Sequence, residues 1–298
     1  MVVSPLRYPG GKAKLFPFFA ELIRNNNLFG ARYCEPYAGG AGLAIKLLNS
    51  GFVESISIND IDKSIVAFWN SILRDTDSFC QLIEATPVDI EQWHLQRAIW
   101  QAGDHTDPLT LGFSAFFLNR TNRSGIIEGA GPIGGYEQKG KWKLEVRFSK
   151  EKQISNIRSL ALYADQISVS NIDALKYLKK TVKKPNTLVY LDPPYFRKGH
   201  KLYKNFYTAS DHSKIASELS RQINARWVVS YDDVPEIHSI YSEYSPISYL
   251  LNYSAGDKSL GAEVMFLSDG LVAPSVPGFS LDQTLARGQS ERMRIAAY

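Results

Sequence analysis

Cysteine and long apolar stretches are scarce in this chain of 298 residues. Its two cysteines, Cys34 and Cys80, are too few for a disulfide framework and are typical of a reducing compartment. The apolar runs fall far short of the roughly 20 residues that a membrane-spanning helix needs, so we expect no membrane partner. Prolines and charges interrupt the first residues, where a signal peptide would be apolar. The sequence therefore predicts a cytoplasmic protein.

Metal-ligand spacing is also missing, because the five histidines show no pattern typical of zinc sites, and we expect no metal. The formal charge of +4 is small, but it is unevenly distributed. Residues 119–153 contain eight basic and four acidic residues, an excess equal to that of the whole chain. This segment is a candidate for binding a polyanion, and a solvated loop is the alternative. Its basic residues are Arg120, Arg123, Lys139, Lys141, Lys143, Arg147, Lys150 and Lys152.

Short apolar runs alternate with helical patterns from Ala31 onward. This alternation predicts an α/β fold of the Rossmann-like kind, a mainly parallel sheet with helices on both faces. The predicted helices include 43–48 and 63 to about 74. The predicted strands lie at 32–35, 55–58, 166–169, 188–191, 227–230, 248–253 and 264–267.

The alternation is interrupted between residues 63 and 165. We interpret this stretch as an inserted, mainly helical domain, which leaves residues 1–62 and 166–270 for the sheet domain. Residues 129–140 are rich in glycine and 141–148 partly alternate, a pattern that predicts a β-hairpin or loop able to enter a DNA groove. Strand periodicity is lost after Asp269, so residues 271–298 are predicted to be a peripheral or disordered tail.

A nucleoside-binding unit is indicated by the first strand, the turn Gly39-Gly40-Ala41-Gly42 and the acid Asp60. Glycines let the backbone approach a ligand, and Asp60 follows the second strand, where a carboxylate can accept hydrogen bonds from ribose hydroxyls. The pattern fits NAD and S-adenosylmethionine equally, and a purely structural turn is the third possibility.

A second glycine turn, Pro9-Gly10-Gly11-Lys12, is not a Walker motif. That motif needs glycine where Leu6 stands and serine or threonine where Ala13 stands. Lys12 is instead a candidate for binding a carboxylate, and Tyr8 offers an aromatic face to a sulfonium or a base. A solvated lysine in a simple turn is the alternative.

The most informative segment is an apolar strand that ends in Asp192-Pro193-Pro194-Tyr195. Prolines cannot continue a central strand, so this edge is rigid. Asp192 and the Pro193 carbonyl are placed to accept hydrogen bonds from an amino group, while Tyr195 stacks on the attached heterocycle. An aromatic amine is a poor nucleophile, and acceptors that hold its N–H bonds help to aim its lone pair. The segment predicts the catalytic centre of a group-transfer enzyme.

Beyond this segment, Arg197 and Lys198 begin a basic loop suited to phosphates beside an extruded base, or to a solvated surface. His212 stands near the start of a predicted helix, a position more typical of capping and packing than of catalysis.

Together these segments resemble the Dam-like, or D12-class, DNA adenine N6-methyltransferases over nearly the whole chain to about Ser268. Tyr37 departs from the phenylalanine that is common in the family. The motifs that carry the resemblance are Tyr8-Pro9-Gly10-Gly11-Lys12, Glu35-Pro36-Tyr37-Ala38-Gly39-Gly40-Ala41-Gly42, Asn59-Asp60-Ile61-Asp62, Phe117-Leu118-Asn119-Arg120 and Asp192-Pro193-Pro194-Tyr195.

The resemblance implies S-adenosylmethionine as cofactor, S-adenosylhomocysteine as product and double-stranded DNA as substrate, with the target adenine flipped into the site. A cognate restriction endonuclease is a possible partner, and we expect a monomer or weak dimer. The expected catalytic residues are Asp192, Pro193, Pro194 and Tyr195. The expected cofactor contacts are Tyr8, Gly11, Lys12, Glu35, Pro36, Tyr37, Gly39, Gly40, Asp60, Ile61, Asp173 and Asp192. The expected DNA contacts are Asn119, Arg120, Asn122, Arg123, Lys139, Lys141, Arg197 and Lys198.

Three other functions fit parts of the pattern. An N4-cytosine methyltransferase faces the same chemistry, a silent DNA-binding regulator can share the fold, and a dehydrogenase can use the glycine turn with Asp60. The resemblance favours adenine because Asp192 stands where a serine would favour cytosine.

Overall fold

A computed structural model describes residues 2–8, 10–181, 184–196, 207–221, 225–253 and 259–281. The strands are β1 Ala31–Glu35, β2 Val53–Asn59, β3 Ile167–Ser170, β4 Thr187–Leu191, β5 Arg226–Asp232, β6 Ile247–Tyr253, β7 Ser259–Leu267 and β8 Phe279–Leu281. The helices are α1 Phe16–Asn25, α2 Gly42–Asn49, α3 Lys63–Arg74, α4 Thr76–Ala85, α5 Ile90–Ala102, α6 Pro108–Thr121, α7 Lys150–Ala161, α8 Ala174–Thr181, α9 Ala209–Ser220 and α10 Pro235–Ile240.

The strands form one mixed sheet in the order β3-β2-β1-β4-β5-β7-β6-β8. Strands β1 to β5 pair in parallel, whereas β7 runs antiparallel to both β5 and β6. The strand order reverses between β1 and β4, and ligands of such sheets bind outside the carboxyl ends of the strands at this point. The antiparallel β7 distinguishes the sheet from a dinucleotide-binding sheet of parallel order 3-2-1-4-5-6.

Both faces of the sheet are covered by helices, as the sequence predicts. Successive residues of a strand point to opposite faces, so Tyr33 joins one apolar cluster with α1 and α2 while Cys34 joins another with α8, α9 and α10. The predicted strands are all present with bounds shifted by one to five residues. The predicted helix from residue 63 to about 74 is α3, which begins after Asp62, whose side chain accepts a hydrogen bond from Ser64 N at 2.8 Å.

Residues 63–165 are mainly helical, and their core is aromatic. Phe68, Phe79 and Phe116 pack ring against ring within 5.8 Å between centroids. Helices α3 and α6 cross so closely at Gly112 that a Cβ there would lie 2.6 Å from the backbone nitrogen of Phe68. Only glycine fits this crossing.

Gly112→Ala is therefore expected to destabilise the protein. Alanine favours a helix by up to about 1 kcal/mol over glycine, but a clash with a neighbouring backbone cannot be relieved by a side-chain rotation. We expect a net loss of about 1–3 kcal/mol in the free energy of unfolding, measured by urea denaturation. Gly270→Ala is the control, because a Cβ added at this position would have no neighbouring atom within 4 Å. Equal stability of the two variants would contradict this account.

The β-hairpin predicted for residues 141–148 is wrong, and the alternative, a loop, is what the structure has. Residues Leu144–Arg147 form a 3-10 helix, and the Gly-rich segment contributes one isolated bridge between Asn122 and Pro132. Leu144 and Phe148 are buried four positions apart, which is a helical spacing. Positive φ angles at Gly134 and Gly135 also interrupt any extended pairing.

The described chain continues along the folded body from Asp269 to Leu281. The sequence predicts no strand in this stretch. Strand β8 pairs with β6, and the Phe279 ring stacks on Tyr249 with centroids 5.3 Å apart. The Asn26 side chain exchanges two hydrogen bonds with the backbone of Val272. A three-residue strand is too short for periodicity to reveal. Residues 282–298 lie outside the described part, and no helix within that part is long and apolar enough to cross a membrane.

Candidate active site

A cavity of about 560 Å³ lies at the carboxyl ends of β1 and β4, where the strand order reverses. It brings together all of the predicted cofactor contacts and one predicted catalytic residue besides Asp192, namely Pro194. Its lining includes Tyr8, Gly11, Lys12, Glu35, Pro36, Tyr37, Gly39, Gly40, Asp60, Ile61, Asp173, Asp192 and Pro194.

The glycine turn after β1 is shaped by an aromatic ring and a carboxylate. Gly39 has φ of 45°, and a Cβ there would lie 2.5 Å from the Tyr8 ring. Its backbone N–H donates to Asp60 Oδ2 at 2.8 Å, and its carbonyl accepts from the Trp69 indole at 2.9 Å. Glycine is needed because the Tyr8 ring fills the space of a side chain.

Asp60 holds this turn while facing the cavity. Its second oxygen accepts from the Asp62 backbone N–H at 2.9 Å. Burial raises its pKa to about 6, although the hydrogen bonds from Asp62 and Gly39 oppose the rise. Each carboxylate oxygen can accept more than one hydrogen bond, so Asp60 can still receive ligand hydroxyls.

Lys12 is buried at the start of the 3-10 helix Lys12–Leu15, with 7% of it exposed. Its ammonium lies 3.1 Å from Asp192 Oδ1 and 3.6 Å from Glu263 Oε2, and it donates to the Tyr195 hydroxyl at 2.6 Å. The sequence predicts that Lys12 binds a ligand carboxylate or lies in solvent. It is not in solvent, and in this structure two carboxylates of the protein lie beside it, while contact with a ligand at the cavity stays a prediction.

Asp192 follows β4 directly and is about a quarter exposed, on the side of the cavity. The Ser230 hydroxyl donates to Asp192 Oδ1 at 3.2 Å and is itself 2.7 Å from the Tyr190 hydroxyl. Burial raises the pKa of Asp192 to about 6, Glu263 adds to the rise, and Lys12 opposes it. The carboxylate is thus fixed from two sides and open on a third.

The Tyr195 ring is not a cover over the cavity in this structure. It is 6% exposed, and its hydroxyl donates to Glu263 while accepting from Lys12. Pro193 is also buried, and neither Pro193 nor Tyr195 is among the described residues that line the cavity. Stacking of Tyr195 on a heterocycle stays a prediction, and it requires the ring to be uncovered.

The far end of the cavity contains the hydroxyls of Tyr37 and Tyr207, 3.0 Å apart. Asp173 caps the start of α8 by accepting from the Lys176 backbone N–H at 3.1 Å, and Ile61 is half exposed at the cavity wall. His212 is buried in ring contacts with Tyr207 and Tyr231, as expected for a packing residue.

Two site residues escape the sequence prediction. Asn59 is buried and donates to the carbonyls of Pro36 and Ile172 at 3.0 and 2.9 Å, which ties together the loops after β1 and β3. Its motif is part of the resemblance, but nothing in the sequence gives it this role. Glu263 is the other, and a lone acid within the apolar run 260–267 is the signal that could have revealed it.

The side chain of Glu35 is buried, and among the described residues no cation forms an ion pair with it. It accepts from the Tyr33 hydroxyl at 3.0 Å, and burial raises its pKa to about 8. The protonated form of such a carboxyl stabilises the folded state at low pH. This contribution is lost as the pH rises from 4.5, the ordinary pKa of glutamate, to about 8, the pKa in the folded protein.

Glu35→Gln should therefore become more stable than the wild type as the pH rises. The glutamine cannot ionise, so we expect the stability gap to move in its favour by up to about 1.4 kcal/mol per pH unit between pH 5 and pH 8. Urea denaturation of the ligand-free protein at both pH values measures this. The exposed Glu54→Gln is the control. A gap that does not change with pH would mean that Glu35 is already ionised at pH 5.

Asn119 and Asn122, two of the predicted DNA contacts, are buried and bind other parts of the fold, so nothing in this structure supports the predicted contacts. The Asn119 amide exchanges hydrogen bonds of 2.7 Å with both backbone groups of Arg7. The Asn122 amide accepts from the Trp93 indole at 2.7 Å and donates to the Ile126 carbonyl at 2.8 Å. The sequence cannot distinguish a buried amide from an exposed one.

Arg120 is half-buried against backbone carbonyls, with Nε donating to the Arg147 carbonyl at 2.8 Å. Burial and the nearby charges of Arg7 and Arg147 lower its pKa to about 10. Arg123, Lys139 and Lys141 are exposed, so they remain accessible to a polyanion. Arg197 and Lys198 lie outside the described residues.

The charge of the cavity fits a cationic nucleoside better than a dinucleotide. Five carboxyl groups line it, from Glu35, Asp60, Asp62, Asp173 and Asp192, against the two lysines Lys12 and Lys46. Glu35 is mostly protonated at neutral pH because burial raises its pKa to about 8, but the other four acids still outnumber the two lysines. Such a lining repels the pyrophosphate of NAD and attracts a sulfonium, which Tyr8 can also face. No cluster of three or more metal-ligating side chains occurs within the described ranges.

The fold and the site are those of an α/β protein with a cavity at the reversal of its sheet, beside an acid at the end of a proline-capped strand. The family described as D12 class N6 adenine-specific DNA methyltransferase matches residues 8–253, and the chain belongs to it. It is therefore an adenine-specific DNA methyltransferase, and the family implies use of S-adenosylmethionine and a DNA substrate.

Solved structures give weaker similarity. A conserved hypothetical protein of Streptococcus pyogenes is 12% identical with a TM-score of 0.31, covering 81% of this chain and 88% of that one. A Legionella pneumophila protein is 11% identical with a TM-score of 0.34, covering 88% and 86%. No curated protein matches the chain significantly.

Proposed function

We propose that this protein transfers a methyl group from S-adenosylmethionine to the N6 amine of an adenine that is flipped out of double-stranded DNA. The observation that carries the proposal is the Asp192 carboxylate, fixed by Lys12 and Ser230 and open toward the cavity at the reversal of the sheet. A partner restriction endonuclease and a monomeric or weakly dimeric state stay predictions of the sequence.

The cofactor supplies an electrophilic methyl group on a sulfonium. Tyr8, the glycine turn, Glu35 and Asp60 line the cavity that would hold it. The ionised acids Asp60 and Asp173 would favour its positive charge, Asp60 would accept hydrogen bonds from the ribose hydroxyls, and Asp173 would serve the nucleoside end.

The acceptors of the chain act on the amine. Asp192 accepts a hydrogen bond from one N–H of the amine, and the carbonyl of Pro193 would accept from the other once this buried residue is uncovered. These acceptors orient the lone pair and stabilise the positive charge that develops on nitrogen. Lys12 keeps the carboxylate oriented. No strong general base is needed, because the methylated amine is acidic enough to lose its proton afterwards.

The exposed basic residues of the 119–153 segment supply the DNA contact. Lys139 and Lys141 lie at the C-terminal end of the Gly-rich loop, and the centre of the Trp142 ring, which is 61% exposed, lies 5.5 Å from the Lys141 ammonium. Lysines attract phosphates, and an exposed aromatic ring can stack on unpaired bases. The loop thus combines attraction for the backbone with a surface for bases.

The double variant Lys139→Ala/Lys141→Ala is expected to bind DNA more weakly and with less dependence on salt. If each lysine neutralises one phosphate, the slope of log K against log salt concentration falls by about 1.8. Fluorescence anisotropy with a labelled duplex over a range of salt concentrations measures the slope. The control is Lys180→Ala, an exposed lysine of the sheet domain. An unchanged slope would mean that the bound DNA does not contact these two lysines.

The function is tested by incubating the purified protein with unmethylated DNA and S-adenosylmethionine that carries a labelled methyl group. We expect N6-methyladenine after digestion to nucleosides and mass spectrometry. Detection of N4-methylcytosine would show instead that the enzyme methylates cytosine. Cofactor binding by calorimetry without methylation of any duplex would instead indicate a silent DNA-binding regulator.

A further inference from the structure

The side chain of Glu263 lies outside the part of the chain that matches the family, yet it reaches the candidate active site. It is fully buried on β7, with 0% exposed, whereas the family match ends at residue 253. One carboxylate oxygen accepts from the Tyr195 hydroxyl. The other accepts from the Tyr249 hydroxyl at 2.6 Å and lies 3.6 Å from the Lys12 ammonium. A buried carboxylate is costly without such partners, so this geometry calls for an explanation.

The antiparallel direction of β7 explains how the residue arrives there. Because β7 runs against β5, its first half lies at the edge where the parallel strands end. Glu263 pairs in register with Asp232, the last residue of β5, and with Tyr249 of β6. A parallel strand in the same place would bring its carboxyl end to this edge, and not the half that contains Glu263.

We infer that Glu263 is a positioning residue, which holds Lys12 and Tyr195 in the orientation that fixes Asp192. The inference rests on the proposed function. The hydrogen bonds run in one direction: Tyr249 and Tyr195 both donate to Glu263, and Lys12 donates to the Tyr195 oxygen and faces Asp192. Glu263 is the shared acceptor of this network. Its carboxylate anchors the Tyr195 hydroxyl, and that hydroxyl in turn fixes the position of the Lys12 ammonium.

Glu263→Gln preserves the size of the side chain and replaces one acceptor oxygen by a donor. One of the two tyrosine hydroxyls then faces an N–H group, and the ammonium loses one of its two carboxylates. We expect kcat to fall about ten- to a hundredfold, with a change in KM below threefold, because a small misplacement of a catalytic group is costly while the cavity wall is intact. In a Tyr195→Phe background, which lacks the hydroxyl, the same substitution should cost much less.

The matched control is Tyr249→Phe, which removes a hydrogen bond to the same buried carboxylate but keeps its negative charge and the hydrogen bond from Tyr195. We expect it to lower the melting temperature as much as Glu263→Gln does, but to change kcat less than threefold. Equal losses of kcat in the two variants would mean that Glu263 only supports the fold.

A second measurement does not depend on activity. The charged groups that face Asp192 are Lys12 from the N-terminal segment, Glu35 from β1 and Glu263 from β7. The negative charge of Glu263 raises the pKa of Asp192, so Glu263→Gln should lower it from about 6. Carbon-13 NMR of labelled aspartate carboxyls in the ligand-free protein, assigned with Asp192→Asn, reports this directly.

The two measurements separate the possible failures. An unchanged titration of Asp192 together with an unchanged kcat in Glu263→Gln would overturn the positioning role. A shifted titration in a protein that methylates no DNA would sink the proposed function and leave the network standing.

Discussion

Asp192→Asn is expected to reduce the rate of DNA methylation by at least about a hundredfold, the scale of removing one preorganised polar group from an active site. The variant keeps the shape of the side chain but has no charge, so Lys12 loses its nearest carboxylate and the amine loses an acceptor. DNA affinity should change little, because the exposed basic residues are elsewhere. Single-turnover kinetics and anisotropy measure the two effects separately.

The control for this experiment is Asp165→Asn, the same chemical change at an exposed position away from the cavity. It should methylate DNA at the wild-type rate. Wild-type activity in Asp192→Asn would remove this carboxylate from the mechanism. A parallel loss of DNA affinity would show that it acts on binding.

Lys12→Met is expected to cost about 3–5 kcal/mol of stability at pH 8, because it leaves buried carboxylates without their cation. The loss should depend on pH in a definite direction. Lys12 lowers the pKa of Asp192, so its removal raises that pKa further above about 6. A carboxyl with a raised pKa loses its contribution to stability as the pH rises, so the deficit should be smaller at pH 5 than at pH 8.

Urea denaturation of the two proteins at both pH values tests this expectation. Lys179→Met, at an exposed position of α8, is the control and should change stability by less than about 0.5 kcal/mol. A deficit that is equal at pH 5 and pH 8 would mean that Lys12 contributes by packing alone.

The sequence predicts the sheet and its ligand-binding edge well because both depend on local patterns. The strands and α3 follow from periodicity, and the reversal of strand order brings the glycine turn to Asp192 as expected. The roles of Lys12 and Tyr195 could not be predicted. They depend on Glu263, and although a lone acid in an apolar run marks this residue, nothing in the sequence pairs it with Lys12 or Tyr195, which lie far away along the chain.

The sequence also cannot show which polar side chains of the 119–153 segment are free to bind DNA. Asparagine and arginine carry the same donors whether they bind a phosphate or a backbone carbonyl. Asn119 and Arg120 bind backbone groups of the N-terminal segment, which is remote in sequence, whereas Asn122 binds the backbone of the loop that follows it. The β-hairpin was mispredicted because a partial alternation over eight residues also fits a 3-10 turn with two buried apolar side chains.

The position of β7 also bears on how the protein folds. The hydrogen bond between Lys12 and Tyr195 joins residues 183 positions apart, and its anchoring carboxylate comes later still in the chain. Contacts of such long sequence separation form late, after the entropy of closing the intervening chain has been overcome. The N-terminal glycine turn of a growing polypeptide therefore emerges from the ribosome long before its partners exist. Until the last strands are inserted, Lys12 has no completed network to join.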